Sequence, residues 1–303
     1  MEPLDHRVAR VIHLTNFIES RLSAEMSLQD MADIACYSPY HLERVVGDVT
    51  GFTPVDYLRQ RRMLCACERV RHETTSLLQI AHEVGFGSNA SFSRAFRRQF
   101  GFSPRDWRQG AWRDCLKQNN RRWHSFFKAS DSETWLKNWH AWWETLQANR
   151  YDVGAKVQLR QLSATPVWYL RHFGVRNGEA LMSTNSQLTA LLKQQGHADA
   201  HTSWIDVWWS DSAFAQPIDF ISERCMVAQG PPPPGLAGRL LPGGCYASLD
   251  FEGSHVHTAW IYEDWLEKQT FWTADATRPV MALRQFTDEQ LTGGTYLVPL
   301  RQR

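Results

Sequence analysis

One stretch of this chain occurs twice, and that repeat constrains the fold more than any other feature. Ser27 to Arg59 reads SLQDMADIACYSPYHLERVVGDVTGFTPVDYLR, and Ser76 to Arg108 reads SLLQIAHEVGFGSNASFSRAFRRQFGFSPRDWR. Ser27-Leu28 pairs with Ser76-Leu77, Met31-Ala32 with Ile80-Ala81, and Tyr37 with Phe86. After one extra residue in the second copy, Leu42 pairs with Phe92 and Arg44 with Arg94. Gly51-Phe52-Thr53-Pro54 then pairs with Gly101-Phe102-Ser103-Pro104, and Asp56-Tyr57 with Asp106-Trp107. An internal repeat sets the reading of everything around it.

Each copy predicts two helices joined by a tight turn. Ser27 and Ser76 are placed to cap the first helix, because a serine oxygen accepts from an unpaired first-turn N–H. Leu28, Met31, Ala32 and Ile34 follow at helical spacing, as do Leu77, Ile80, Ala81 and Val84. Gly85 tolerates the positive φ of the turn, and Cys36 holds the same place in the first copy. Ser38-Pro39 then opens the second helix with a cap and an N-terminal proline; Ser88-Asn89 does so without the proline. At 100° per residue, Leu42, Val45, Val46 and Val49 share one face while Tyr40, Glu43, Arg44 and Gly47 point away. In the other copy Phe92, Ala95 and Phe96 face inward; Ala90, Ser93, Arg94 and Arg97 face outward, with Arg98 at the margin. A short helix with a buried stripe and an outward arginine suits a DNA major groove, where arginine donates two parallel hydrogen bonds to guanine. A single copy is equally well an ordinary helical hairpin with solvated arginines. Two copies with matching arginines favour DNA, with Tyr40, His41, Arg44, Asn89, Ser93, Arg94, Arg97 and Arg98 as the contacting set.

The pattern Ile80-Ala81-x-x-x-Gly85-Phe86-x-Ser88, Phe92-x-Arg94-x-Phe96, Gly101-x-Ser103-Pro104-x-x-Trp107-Arg108 resembles the closing signature of the AraC/XylS regulators' DNA-binding domain. The resemblance covers about residues 6 to 113. It implies two helix-turn-helix units bridged by one long helix, here Pro54 to His72, with Leu58, Met63, Leu64 and Val70 serving both units. It also implies two recognition helices in successive major grooves, about 34 Å apart. The first recognition helix departs from the family in carrying Glu43, Gly47 and Asp48 where basic residues are usual, so the second unit is expected to supply more of the affinity.

Charge agrees with a localised rather than a bulk interaction. The 303 residues carry a net charge of +1, and residues 1 to 113 hold 15 Arg and no Lys against 13 Asp plus Glu. Affinity must then come from where arginines cluster. The six cysteines are scattered without four-ligand zinc spacing, which predicts reduced thiols and a cytoplasmic protein; a redox sensor is the other reading. No membrane span is expected, nor a signal peptide, since Met1 to Ser20 carries charges throughout, and no cofactor or metal is implied. His255-Val256-His257 places its two histidines off a common helical face.

Asp114 to Asn149 is rich in tryptophan, and Trp135, Trp139, Trp142 and Trp143 share one helical face. That predicts a helix docked on a core, or else a lid or dimer contact. Trp123 precedes this group. From Tyr151 strands dominate: 156–162, 166–172, 203–209, 223–229, 244–251, 280–286 and 295–300, with helices at 178–195 and 255–270. Leu170-Arg171-His172-Phe173-Gly174, Leu240 to Ala247 and Gly294 to Leu300 resemble the GyrI-like effector-binding domain across about residues 153 to 303. The domain order is similar to that of Rob-type AraC regulators. Together the resemblances imply a multi-domain α and α+β chain. An all-α tandem helix-turn-helix domain (1–113) leads, a Trp-rich helical linker (114–150) follows, and a GyrI-like domain (151–303) built from two strand-helix-strand repeats closes it.

That domain family cups a small, often cationic and aromatic, compound between its halves. The aromatic candidates here are Tyr169, Trp204, Trp208, Tyr246, Phe251, Phe286 and Tyr296, each of which, taken singly, is more often sheet core than pocket wall. Strand alternation puts Trp204, Asp206 and Trp208 on one side, an acid between two tryptophans that would suit an organic cation or lie at a solvated edge. Where the family often places a glutamate two residues before an aromatic, this chain reads Leu283-Arg284-Gln285-Phe286. Arg284 leaves the ligand neutral or anionic, or leaves Asp206, Glu223 or Glu252 to pair with a cation. The leading expectation is a non-enzymatic regulator that binds double-stranded promoter DNA and answers to a small-molecule effector. The alternative is a GyrI-like enzyme that hydrolyses or sequesters a small molecule, which needs a carboxylate of raised pKa. A third reading gives the Trp-rich segment a protein partner, RNA polymerase.

Overall fold

A computed structural model of the chain describes residues 6–129, 156–174, 188, 190–193, 204–209, 214–216, 219–252, 261–287 and 290–303. Trp135, Trp139, Trp142, Trp143 and the His255-Val256-His257 stretch lie outside the described residues, as do most of 178–195 and 255–260.

The repeat folds as its sequence predicts. Helix α1 (His6–Glu19) leads, then α2 (Leu28–Ala35) and α3 (Pro39–Thr50) form the first unit. The bridge α4 (Pro54–His72) leads to α5 (Leu77–Glu83) and α6 (Asn89–Phe100), the second unit. A short α7 (Pro104–Asp106) runs through a π-turn at Trp107–Ala111 into α8 (Trp112–Ala129). Ser27, Thr53, Ser76 and Ser88 each accept a backbone N–H of their helix's first turn, satisfying a donor that the helix itself leaves open. Both inter-helix turns require the left-handed region: Gly85 has φ 83°, and Cys36, at φ 55°, is the only non-glycine residue with positive φ among the described residues. The bridge serves both units, with Leu58 in the core of the first and Met63, Leu64 and Val70 in that of the second.

Arg62 on α4 locks the two units together. It donates to the carbonyls of Leu22 (2.8 Å) and Ala24 (2.7 Å) beside the first unit and to that of Gly85 (3.1 Å) in the turn of the second. A Cβ at position 85 would lie 2.5 Å from the Arg62 guanidinium carbon, so the glycine is needed for approach as well as for φ.

The C-terminal half is an antiparallel sheet. Its strands are β1 (Gln158–Leu162), β2 (Thr165–Phe173), β3 (Trp204–Trp208), β4 (Ile221–Val227), β5 (Ala237–Leu241), β6 (Gly244–Glu252), β7 (Trp272–Ala274), β8 (Val280–Thr287) and β9 (Gln290–Gln302). The order is β1-β6-β9-β8-β3-β4-β2-β5, with β7 on β9. Two halves of the same order, β2-β4-β3 and β6-β9-β8, meet where β3 pairs with β8. The edges are exchanged: β1 precedes β2 in the chain but pairs with β6, and β5 precedes β6 but pairs with β2. The two connections touch at Gly243, where a Cβ would meet the backbone of Ala164 at 2.6 Å and of Leu162 at 2.7 Å.

Alternation along the strands divides the sheet into two faces. Val167, Tyr169, Ile205, Val207, Cys225, Met281 and Leu297 pack with Ile12 of α1. On the opposite face Trp168, Leu170, Trp204 and Met226 pack around Leu188 and Leu192, while Leu249, Phe251, Tyr296 and Val298 pack around Ile261 and Leu266. The helical domain therefore covers one side of the sheet, and two flanking segments cover the ends of the other. Burial pushes the thiols of Cys65 and Cys115 up to about 11, which keeps them protonated and unreactive.

Candidate DNA-reading helices and a candidate effector face

On α3, Leu42, Val45 and Val46 are buried, while Tyr40 is 82% exposed and Arg44 is exposed. Arg44 Nη2 lies 3.2 Å from His41 Nδ1, His41 stands edge-on to Tyr37 with ring centroids 4.6 Å apart, and Arg10 lies over Tyr37 at 4.9 Å. The half-buried His41 thus holds Arg44 from below. On α6, Phe92, Phe96 and Phe100 are buried and continue as a stack of rings through Trp107 to Phe214 of the C-terminal half. Asn89, Arg94, Arg97 and Arg98 are exposed and Ser93 is half-buried. Neither arginine-bearing face is covered by the sheet domain among the described residues.

Between the domains lies a buried polar seam. Arg171 on β2 donates to Glu223 on β4 (2.7 Å), to Thr15 Oγ1 (2.6 Å) and to Asn16 Oδ1 (2.7 Å) of α1. Arg171 and Glu223 have no exposed side-chain surface, and Arg239 on β5 gives Glu223 a second cation at 2.9 Å. Burial alone would raise the Glu223 carboxyl; the two guanidinium groups overcome it and hold the carboxyl below its usual range. Further contacts carry the seam along α4. Arg61 binds Glu19 (2.6 Å) and the Trp209 carbonyl, Thr273 donates to the His72 carbonyl (3.0 Å), and Arg301 pairs with Glu73. At the far end Asn119 and Trp123 of α8 both donate to the Ala215 carbonyl, at 2.9 and 3.0 Å.

The face of the sheet turned away from α1 gathers Trp204, Asp206, Trp208, Phe251, Arg284 and Tyr296; Trp204, Phe251 and Tyr296 are buried against the flanking segments and Trp208 is half-buried. Trp208 stacks on Tyr296 with centroids 6.1 Å apart and planes 25° apart, and Phe251 lies 4.5 Å from Tyr296. Two of the expected pocket residues lie elsewhere. Tyr169 and Tyr246 face the other side; the Tyr169 hydroxyl accepts from Asn16 of α1 (2.7 Å) and Tyr246 donates to the Pro242 carbonyl (2.8 Å). They belong to the seam and the inter-half turn because alternation sets their side, whatever their aromatic character. The side chain of Phe286 lies outside the described residues, as does that of Glu252.

The expectation of an open acid at Asp206 is also corrected. Arg224 Nη2 donates to Asp206 at 3.0 Å and Arg284 Nε at 2.6 Å, and all three side chains are 10–12% exposed. Burial would raise this carboxyl, but Arg224 and Arg284 bring it below its ordinary value. Glu223, the other acid considered for a cation, is consumed in the seam. The sequence reading overlooked Arg62, Arg224 and the Arg171–Glu223–Arg239 group. The signal for the last was present: Arg171 falls in register with apolar Val167 and Tyr169, and a charge on a buried face needs a partner.

Residues 31–110 match the family described as a helix-turn-helix domain, and residues 155–292 match the GyrI-like small molecule binding domain. The chain therefore joins a region that matches a helix-turn-helix domain to one that matches a GyrI-like domain. It is similar to the HTH-type transcriptional activator RhaS of Enterobacter sp. (strain 638), 37% identical over 110 residues, covering 36% of this chain and 40% of that protein. With RhaS of Citrobacter koseri the identity is 38% over 118 residues, 39% of this chain and 42% of that one. The chain thus spans about two-fifths of the length of these relatives. Among solved structures, an AraC-type transcriptional regulator from Chromobacterium violaceum aligns at TM-score 0.32 and 25% identity, over 34% of this chain and 91% of that one. The DNA-binding domain of AdpA in complex with a target DNA aligns at 0.33 and 25%, over 33% and 91%. No described helix is long and apolar enough to cross a membrane.

Proposed function

We propose that the chain is a sequence-specific, DNA-binding transcription regulator whose C-terminal domain senses a small molecule. Residues 1–113 read DNA, 114–150 connect, and 151–303 sense. The observation that carries this reading is the pair of matched units, each offering exposed arginine from its second helix while Arg62 holds the units in one arrangement. On this reading Arg94, Arg97 and Arg98 supply most of the contact energy, and Tyr40, His41 and Arg44 add selectivity. Arg94→Ala weakens operator binding by about 1–3 kcal/mol and relaxes specificity, measured by fluorescence anisotropy on a site selected with the full chain. Unchanged affinity overturns the assignment.

Sensing reaches the DNA-reading half through β3 and β4. Asp206 pairs in register with Arg224, and the next pair along is Val207 with Glu223. Adjacent residues of β4 thus hold the effector face and the seam to α1. An effector regulates only if it prefers one arrangement of that seam over another. The hydrolytic alternative needs a carboxylate of raised pKa among aromatic walls; Asp206, the described acid on that face, is held low by its arginines.

A further inference from the structure

The charge state of the effector face selects its ligand. Asp206 accepts from Arg224 through both carboxylate oxygens and from Arg284 through one. Two guanidinium groups therefore surround one carboxylate, and the cluster carries a net positive charge in a place that is 10–12% exposed. Where solvent is excluded, an added cation meets unscreened repulsion and an added anion completes the neutralisation. Arg284 is the less committed of the two arginines. Its Nε bonds Asp206, its guanidinium lies 5.7 Å from the Phe251 ring, and its terminal nitrogens have no hydrogen-bond partner among the described residues. A second group points the same way. The Tyr296 hydroxyl is fully buried and has no hydrogen-bond partner among the described residues. Tyr296 lies in one row with Asp206, across Ala282: Asp206 pairs with Ala282, and Ala282 with Tyr296. Ala282 and Tyr296 are fully buried and Phe251 nearly so, packed with Ile261 and Leu266, which leaves half-buried Trp208 as the accessible ring beside these donors. Buried donors without acceptors are costly, and an acceptor-rich anion relieves that cost.

We propose that this face binds a planar aromatic anion, a ring bearing a carboxylate, with Arg284 as its charge partner, Tyr296 as a second donor and Trp208 as the stacking wall. The proposal rests on the sensor reading of the domain and names the ligand class of the same site. Arginine is suited to the task because its planar fork matches a carboxylate in two parallel bonds.

Three indole compounds that differ mainly in charge test it on the full-length chain by isothermal titration calorimetry: indoleacetate, tryptamine and tryptophol. Indoleacetate is expected to bind about tenfold or more tighter than the other two, the effect of one charge-assisted pair. Arg284→Gln removes that preference, Arg284→Lys retains part of it, and Tyr296→Phe weakens indoleacetate by a smaller factor while leaving tryptophol unchanged. Thermal melts of the variants show whether each is folded, and the lysine variant keeps the test valid if the glutamine variant is not. Tighter binding of tryptamine than of indoleacetate, or indoleacetate affinity untouched by both Arg284 variants, overturns the anion assignment and leaves the sensing domain standing. Binding of none of the three overturns the aromatic-anion proposal and leaves the sensor reading standing.

Discussion

The two faces of the sheet carry the same device and use it differently. On each, a buried carboxylate lies between two arginines: Glu223 between Arg171 and Arg239, Asp206 between Arg224 and Arg284. The first group is closed by α1, whose Thr15 and Asn16 take up donors that Glu223 leaves over. In the second, 10–12% exposed, no described residue outside the group takes up the donors that Asp206 leaves over. A carboxylate–diarginine group is thus a structural rivet where another element completes it and a candidate binding site where none does. Completion, more than residue type, separates the two.

The largest effect should come from breaking the closed group. Arg171→Ala leaves Glu223 with no exposure and one cation fewer, and is expected to destabilise the chain by about 3–5 kcal/mol, read by urea denaturation. If the two domains melt separately in this variant, the seam couples them; a loss below about 1 kcal/mol means that the triad is not the rivet. Asp206→Asn, on the more accessible face, should cost about 1–3 kcal/mol. Equal losses from the two variants would remove the distinction between the faces. Asn16→Ala takes away one hydrogen bond to Arg171 and one to Tyr169, and about 1 kcal/mol is expected. The effect should fall on the coupling between domains rather than on the midpoint of either alone.

The smallest effect concerns pH. Asp206 and Glu223 have folded pKa values below their unfolded ones. Their contribution is therefore present above the unfolded value near 4 and is lost as pH falls through the lower folded value. Neither should impart any slope between about pH 5 and 8. Burial raises Asp219 and Glu68 to about 6, so these two favour the fold when protonated and weaken it as pH rises from about 4 through 6. Stability measured across about pH 5 to 8 should keep its slope in Asp206→Asn and lose part of it in Asp219→Asn.

The helical half was legible almost residue by residue. Its cues are local: a serine cap, a helical stripe, a turn that needs positive φ, and the angle that sends Arg44 and Arg94 outward. Each depends on positions a few residues apart, and the repeat states them twice. The sheet half was legible as strands and as alternation, which put Trp204, Asp206 and Trp208 on one side. It was not legible as pairing. Nothing in the spacing of residues 158–162 shows that β1 lies beside β6, or that β5 crosses back to β2.

The sequence by itself determined the repeat, the helix faces, the strand alternation and the arginines that stand free. Only the tertiary structure decided which charges meet. Asp206 is 78 residues from Arg284 and Arg171 is 155 residues from Asn16. Local periodicity orients a side chain toward a face; what that face then touches depends on how distant elements pack, and the partner decides whether an acid is a ligand for cations or is already neutralised.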